Sequence, residues 1–503
     1  MSAEIADGGT SGPTDKLDAL LAQHPFGNAD YITRQLHICY MRRLGKISPR
    51  LPSAGTLLDA LNRAGPARRH RVIGDTVVRC AVNHALRQVE AGTPYGMPLQ
   101  QCGELFEEAA DHLADGKPVL LRSAPASRLS PDLEQTFVWS DLRGDDRFSR
   151  AFRDLVDDNY GERPCTLEED EQAVLAQAVR ILQDTVPMVS RSTLRHTHLV
   201  AIFPEDGPFA RVNSSSEFKL SGTVFLNRKL LSNPWRVAEH LLHETLHQQM
   251  YDFRHGHTLL VEDVHREDAP TFCSLWNLPD KNNWNIYRGL AAFHVYVHLG
   301  LFFTLAEERS AHLQKIHGPP AGITGRRKAT TRAHYLAEQI RAVCWDEMGE
   351  AGKEYVEWFD SVLTVFDPAP PPSDSYVHLL LDRYEREARS VERLSACGPD
   401  LSDHLSELAR MEIAGARSAL AAIEAGEALQ RLDDATAELF DAEGRLPISE
   451  SRTRFTGIRS VVAGAILQAS HDGYTLSESR VPDAIVRQMV ETSSQRLKPL
   501  LDA

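Results

Sequence analysis

His243-Glu244-Thr245-Leu246-His247 is the stretch on which the reading of this chain turns. On a helix, two imidazoles four residues apart project from one face and can share a divalent metal. The glutamate between them lies close enough to exchange a proton at the metal's open position. The flanks suit a helix. Ser232 or Asn233 can cap it, Pro234 fits its first turn, and residues 235–250 hold no glycine or further proline. Val237, Ala238, Leu241, Leu242 and Leu246 supply apolar faces that would bury it. The competing explanation is a chance match on a solvated helix, in a chain with 21 histidines. The apolar residues around the motif argue against that.

Length and composition bound the function. The 503 residues are enough for about three domains, and 42% apolar with 25% charged content is that of a soluble globular protein. A formal charge of −15 argues against nucleic acid as the main partner, because phosphate binding calls for an excess of Lys and Arg. Residues 1–15 are small, polar and acidic, without the basic start or apolar run of a signal peptide. The longest apolar stretch, residues 291–306, carries two histidines and is short for a membrane span. Seven scattered cysteines without a CxxC read as reduced thiols, and the expected location is cytoplasmic.

Composition divides the chain into a disordered start (1–14), a helical N-terminal domain (15–161), a metal-binding catalytic domain (162–366), a proline-rich linker (367–373) and a helical C-terminal domain (374–503). In the first of these domains, helical patterns run over 30–44 and 100–113. Arg42, Arg43 and Lys46 form one basic cluster, and Arg68, Arg69 and Arg71 another. Each is either a docking surface for an acidic peptide or a solvated helix face. The catalytic domain opens on a capping box at 166–169, with a helix to 184 stopped by Pro187. Strand-like runs follow at 197–203 and 222–227. The second is either an edge that an extended peptide could pair with or an interior strand. Arg326, Arg327 and Lys328 read as a solvated basic loop, and the C-terminal domain carries no catalytic motif.

Two histidines do not hold a catalytic metal, so a third ligand is needed. The metzincin extension is excluded, since Met250 stands where it needs glycine and Phe253 where it needs histidine. A gluzincin-type ligand would be one of Glu262, Glu267, Glu307 and Glu308. His255, His257 and His265 lie in a polar stretch after the helix, whereas His294 and His298 lie on an apolar segment at 289–305 that reads as a buried helix. Two histidines one turn apart on such a helix favour at least one ligand. His240, on the same side as His243 and His247, is either a supporting hydrogen-bond group or a fourth ligand.

The strand Gly222-Thr223-Val224-Phe225-Leu226-Asn227, the motif helix from Ala238 to His247, the Ser274 and Trp276 pair, and Arg288 ahead of His294 and Tyr296 occur in a telling order. Over residues 166–303 the chain resembles the HExxH-motif peptide-modification domain, whose members include alpha-ketoglutarate-dependent peptide β-hydroxylases of ribosomal peptide biosynthesis. The resemblance implies a mononuclear Fe(II) site on a zincin-like scaffold, with His243, His247 and His294 as ligands. His298, Glu262 and Asp263 remain alternatives. It also implies alpha-ketoglutarate as cosubstrate, with Arg288 gripping its far carboxylate through a bidentate fork. The other reading of Arg288 is an ion pair at a helix start. Glu244 would orient water, ligand or substrate.

The expected fold is α+β and predominantly helical: a zincin-like HExxH core with a small sheet, flanked by helical domains. The expected activity is hydroxylation at a β-carbon of a residue in a ribosomally made peptide, with cosubstrate decarboxylated to succinate. The alternative is a zinc metallopeptidase of gluzincin type, with Glu244 as general base. No nucleic-acid or membrane partner is expected.

Overall fold

The computed structural model describes residues 13–115, 128–130, 133, 135–140, 146–261, 266, 268–277, 281–368, 376–394, 398–437, 439–471 and 483–501. Helices dominate, and the strands form two small sheets, so the chain is predominantly helical with a little β-structure, as composition and pattern suggest. It separates into two compact units: residues 1–259, 294–326 and 350–355 form one, and residues 260–293, 327–349 and 356–503 the other.

The first unit is built around strands β1 (Phe137–Val138), β2 (Leu199–Phe203), β3 (Ser214–Ser215) and β4 (Thr223–Asn227), in spatial order β1-β2-β4-β3. β2 runs parallel to β1 and β4, while β3 runs antiparallel along β4, with Ser214 opposite Leu226 and Ser215 opposite Phe225. Every residue of β2 and β4 is buried. Such unbroken apolar strands belong to a sheet covered on both faces. Leu199, Ala201, Phe203 and Phe225 point into one core with Leu36, Tyr40, Phe106 and Phe152 from the N-terminal helices. Residues 223–227 are therefore an interior strand, and beyond it the sheet ends at β3, with β1 forming the other edge. The sequence hid this because Ser214 and Ser215 lie among loop-forming residues.

The motif lies on the helix Pro234–Arg254, capped by Asn233, whose side chain accepts from the backbone N–H groups of Trp235 and Arg236. Val237, Ala238, Leu241, Leu242 and Leu246 are fully buried. Burying a side chain of that kind contributes roughly 1.5–3 kcal/mol for the larger ones. Polar clamps fix the helix further. The Gln248 amide accepts from Gly222 N at 2.7 Å and donates to Thr223 O at 2.9 Å, pinning the helix to β4. Asp252 receives Arg79 at 2.7 and 3.3 Å, with both partners fully buried. That ion pair ties the N-terminal helix Thr76–Ala91 to the motif helix, so the first unit runs straight across residue 161, where composition places a boundary.

Other local expectations change. The helix after the proposed capping box is Glu169–Thr185, capped at Glu168, where Glu171 accepts from the Glu168 N–H. As expected, that helix ends just ahead of Pro187, at Thr185, and Pro187 then begins a separate helix, Pro187–Leu194, as proline at a first turn can. Arg326, Arg327 and Lys328 are the start of the helix Arg326–Val343, and Lys328 donates to Asp382 at 2.7 Å. Ile286–Glu308 has the length and mean hydropathy, 1.6, of a membrane span, but 94% of its apolar window is buried, as in a core helix. None of the six described cysteines is in a disulfide among the described residues, and Cys397 lies outside them.

The second unit pairs β5 (Thr271–Cys273) with β6 (Asn283–Asn285) and contains the helices Val377–Glu392, Pro399–Ala422, Gly426–Ala437, Ser451–His471 and Asp483–Leu501. The guanidinium of Arg459 is fully buried there between Glu412, Glu387 and the Tyr384 ring. Residues 369–373 of the linker lie outside the described residues.

Candidate metal centre

His243 and His247 meet as a ligand pair would. Their Nε2 atoms are 3.3 Å apart. Two nitrogens each about 2.0–2.1 Å from one tetrahedral ion would stand roughly 3.3–3.4 Å apart. Burial, with the neighbouring His243 adding to it, holds the His247 imidazole well below the usual histidine range, so the ring is neutral as a ligand must be. Among the described residues its buried Nδ1 has no hydrogen-bond partner of the kind that usually supports a ligating imidazole.

Glu244 is the most firmly held residue of the motif. Ser214 Oγ donates to Oε1 and Ser216 Oγ to Oε2, both at 2.6 Å. Ser214 Oγ also lies 2.8 Å from His240 Nδ1. Its single proton goes to Glu244, so His240 donates to the serine, giving a chain from His240 through Ser214 to Glu244. Burial and the charges of His243, Arg236 and Lys229 push His240 down to about 3, keeping it neutral. His240 thus supports the site by hydrogen bonding. Tyr251 Oη donates to Ser216 O at 3.1 Å, and Tyr160 Oη pairs with Ser215 Oγ at 3.0 Å. Ser214, Ser216, Tyr251 and Tyr160 were invisible as site residues in the sequence; only the Ser214-Ser215-Ser216 run hinted at them.

His294 is fully buried on Ile286–Glu308, and burial first, then the proximity of His298 and His247, holds it well below the usual histidine range. His298, pushed down to about 4 by burial, donates through Nδ1 to His294 O at 2.8 Å. The two rings pack edge to face at 4.5 Å, and His294 also meets the Tyr355 ring at 5.5 Å. Yet no three His, Cys, Asp or Glu side chains converge at ligand spacing among the described residues. The residues therefore fit a metal through two imidazoles.

The remaining candidates fall away or lie elsewhere. His255 accepts from Arg43, and His257 stacks on Phe253 and pairs with Tyr31 Oη. Glu307 faces Arg326 and Glu308 accepts from Thr14. Glu262, Asp263, His265 and Glu267 lie outside the described residues. Arg288 belongs to the second unit, where its guanidinium sits 4.9 Å over the Trp284 ring. Among the described residues it makes no ion pair with a carboxylate, and its backbone N–H donates to Asn285 Oδ1.

No protein-family model matches the chain, and no curated protein matches it in sequence.

Proposed function

We propose that this chain is a metal-dependent peptide-modifying enzyme, and that its reaction is Fe(II)- and alpha-ketoglutarate-dependent hydroxylation of a peptide residue. The proposal includes a zincin-like core, supported by the antiparallel edge strand β3 set against a motif helix that carries paired imidazoles. His243 and His247 would hold the metal, with His294 as third ligand. When bound, Fe(II) and alpha-ketoglutarate would let dioxygen act as the oxidant for C–H hydroxylation, one oxygen atom entering the peptide and the other the succinate left when the cosubstrate loses CO2.

The observation that carries this reading is the tethering of Glu244. Both its oxygens accept short hydrogen bonds from serine hydroxyls. A general base needs an oxygen directed at an attacking water. Serine hydroxyls on both oxygens of Glu244 favour a positioning role, in which the carboxylate fixes the wall of the site. Arg288 enters as the candidate cation for the cosubstrate's far carboxylate.

The test is an anaerobic titration of alpha-ketoglutarate into the Fe(II)-loaded protein, followed by its charge-transfer absorption and by succinate release once oxygen is admitted. No spectral change and no succinate would overturn the reading. Arg288→Ala should weaken cosubstrate binding and leave metal content unchanged; normal affinity would remove Arg288 alone.

One observation favours a second reading, a zinc metallopeptidase. The 3.3 Å nitrogen spacing matches a tetrahedral ion, the geometry zinc prefers. Candidate peptides separate the two: a gain of one oxygen marks the hydroxylase, and two fragments mark the peptidase.

A further inference from the structure

A cleft of about 600 Å³ opens in the first unit between the helices Ala29–Ile47 and Thr76–Ala91 and the loop after β3. Its cations are Arg43, Arg87 and Lys219, and none of them pairs with a carboxylate among the described residues. Arg43 donates to Asn83 Oδ1 at 2.7 Å and to His255 Nδ1 at 3.1 Å. Arg87 lies 3.8 Å over the Tyr95 ring. Lys219 is exposed, and its backbone carbonyl accepts from the buried Cys80 thiol. The carboxylate on the rim, Glu90, is already engaged by Lys46 at 3.2 Å. Because Arg43 donates to Nδ1 of His255, the ring proton sits on Nε2, which is buried and has no hydrogen-bond partner among the described residues.

The walls between these donors are apolar, with Leu86, Tyr95 and Phe218 contributing. Volume and lining are those of a ligand site, not of a solvated helix face. An isolated phosphate would want its donors gathered round one point. Here three cations share the lining with the Tyr95 and Phe218 rings, which suits acidic side chains alternating with apolar ones better than a lone phosphate. One lining residue also touches the motif helix: Phe218 stands two residues beyond Ser216, which donates to Glu244, and packs against Tyr251 at 5.6 Å.

We propose that this cleft docks an acidic segment of the peptide substrate, with carboxylates on Arg43, Arg87 and Lys219 and an apolar side chain against Phe218 and Tyr95. The inference rests on the reading that the substrate is a peptide, and assigns the chemistry by which it would be selected. Rim cations act mainly on encounter and selectivity, and added salt should weaken them.

Fluorescence anisotropy of short labelled peptides tests it, using an Asp–Leu repeat, its Asn–Leu counterpart and a Lys–Leu repeat with the full-length protein. The acidic peptide should bind at least about tenfold tighter than the neutral one, and the Arg87→Glu/Lys219→Glu variant should lose at least about that factor. Both substitutions are on exposed side chains, and an unchanged thermal midpoint will show that the fold is kept. Equal binding of acidic and neutral peptides, no binding of the acidic one, or indifference to charge reversal would overturn the proposal. So would displacement by inorganic phosphate alone at millimolar concentration, which would mark a phosphate site. Binding that persists in His243→Ala supports docking independently of the chemistry, so failure of the catalytic reading would leave this result standing.

Discussion

Nitrogen against nitrogen at 3.3 Å, His243 and His247 present the same edge to one point, and removing either ring should remove the metal. His243→Ala and His247→Ala are expected to lose bound metal by elemental analysis while keeping their helical circular dichroism, since Leu241, Leu242 and Leu246 still bury the helix. His294→Ala should follow them and His298→Ala should cost less; the reverse order would move the third ligand one turn along the helix. Glu244 gives a sharper residue-level test. Ser214→Ala/Ser216→Ala strips a buried carboxylate of both donors, which should cost on the order of 1–3 kcal/mol in urea unfolding. Adding Glu244→Gln should recover part of that loss. If the serine variant is as stable as the unmutated chain, the tether does not hold the site. In turnover, Glu244→Gln should keep measurable activity in a hydroxylase and abolish it, with metal retained, in a peptidase.

At the scale of elements, the motif helix is placed by what lies on its far side. Asp252 stands at its C-terminal end, held by the buried Arg79 guanidinium and by His196 Nδ1 at 2.8 Å. Asp252→Asn leaves that guanidinium buried without its counter-charge and should destabilise by about 3–5 kcal/mol. Arg79→Met/Asp252→Leu should be much closer to the unmutated stability, because no charge is then left buried and unpaired. A single variant as stable as the double would show that the pair does not lock the helix. Asn233 as cap and Pro234 in the first turn could be read directly from the sequence because they act on neighbouring backbone. The Gln248 clamp on β4 could not, since its partners lie 25 and 26 residues away.

Over the whole molecule, the first unit gathers a buried histidine cluster that should make it sensitive to acid. His37 and His70 pack at 5.7 Å, and His70 and His198 at 4.7 Å. Burial first, then nearby Arg69, Arg79 and Arg195 and neighbouring histidines, pushes His37 down to about 4, His70 to about 3 and His198 well below the usual range; Asp252 opposes this at His37 and His198. The unfolded chain takes up these protons near pH 6.5. Protons therefore favour the unfolded chain between that value and about pH 4, where His37 titrates in the fold. Stability from these groups is complete above pH 6.5 and falls as the pH falls through that window. The urea midpoint should drop steadily from pH 7 to pH 4.5, and His37→Gln/His70→Gln should flatten the slope. A midpoint constant over that range would refute the account.

The sequence by itself determined what depends on near neighbours and on pattern. It contained the cap and first turn of the motif helix, the common face of His243, Glu244 and His247, the burial of residues 289–305 and the helical character of both ends. Each follows from helical spacing or from a side chain acting within a turn of itself. Tertiary structure alone decided which strand is the edge, because pairing of Ser214 and Ser215 with β4 is a long-range event on residues of loop composition. It also decided what holds Glu244, which neighbours satisfy His255 and His257, and that Arg43 faces a cleft with Arg87 and Lys219. Those facts rest on side chains brought together from distant parts of the chain, and no local pattern encodes such meetings.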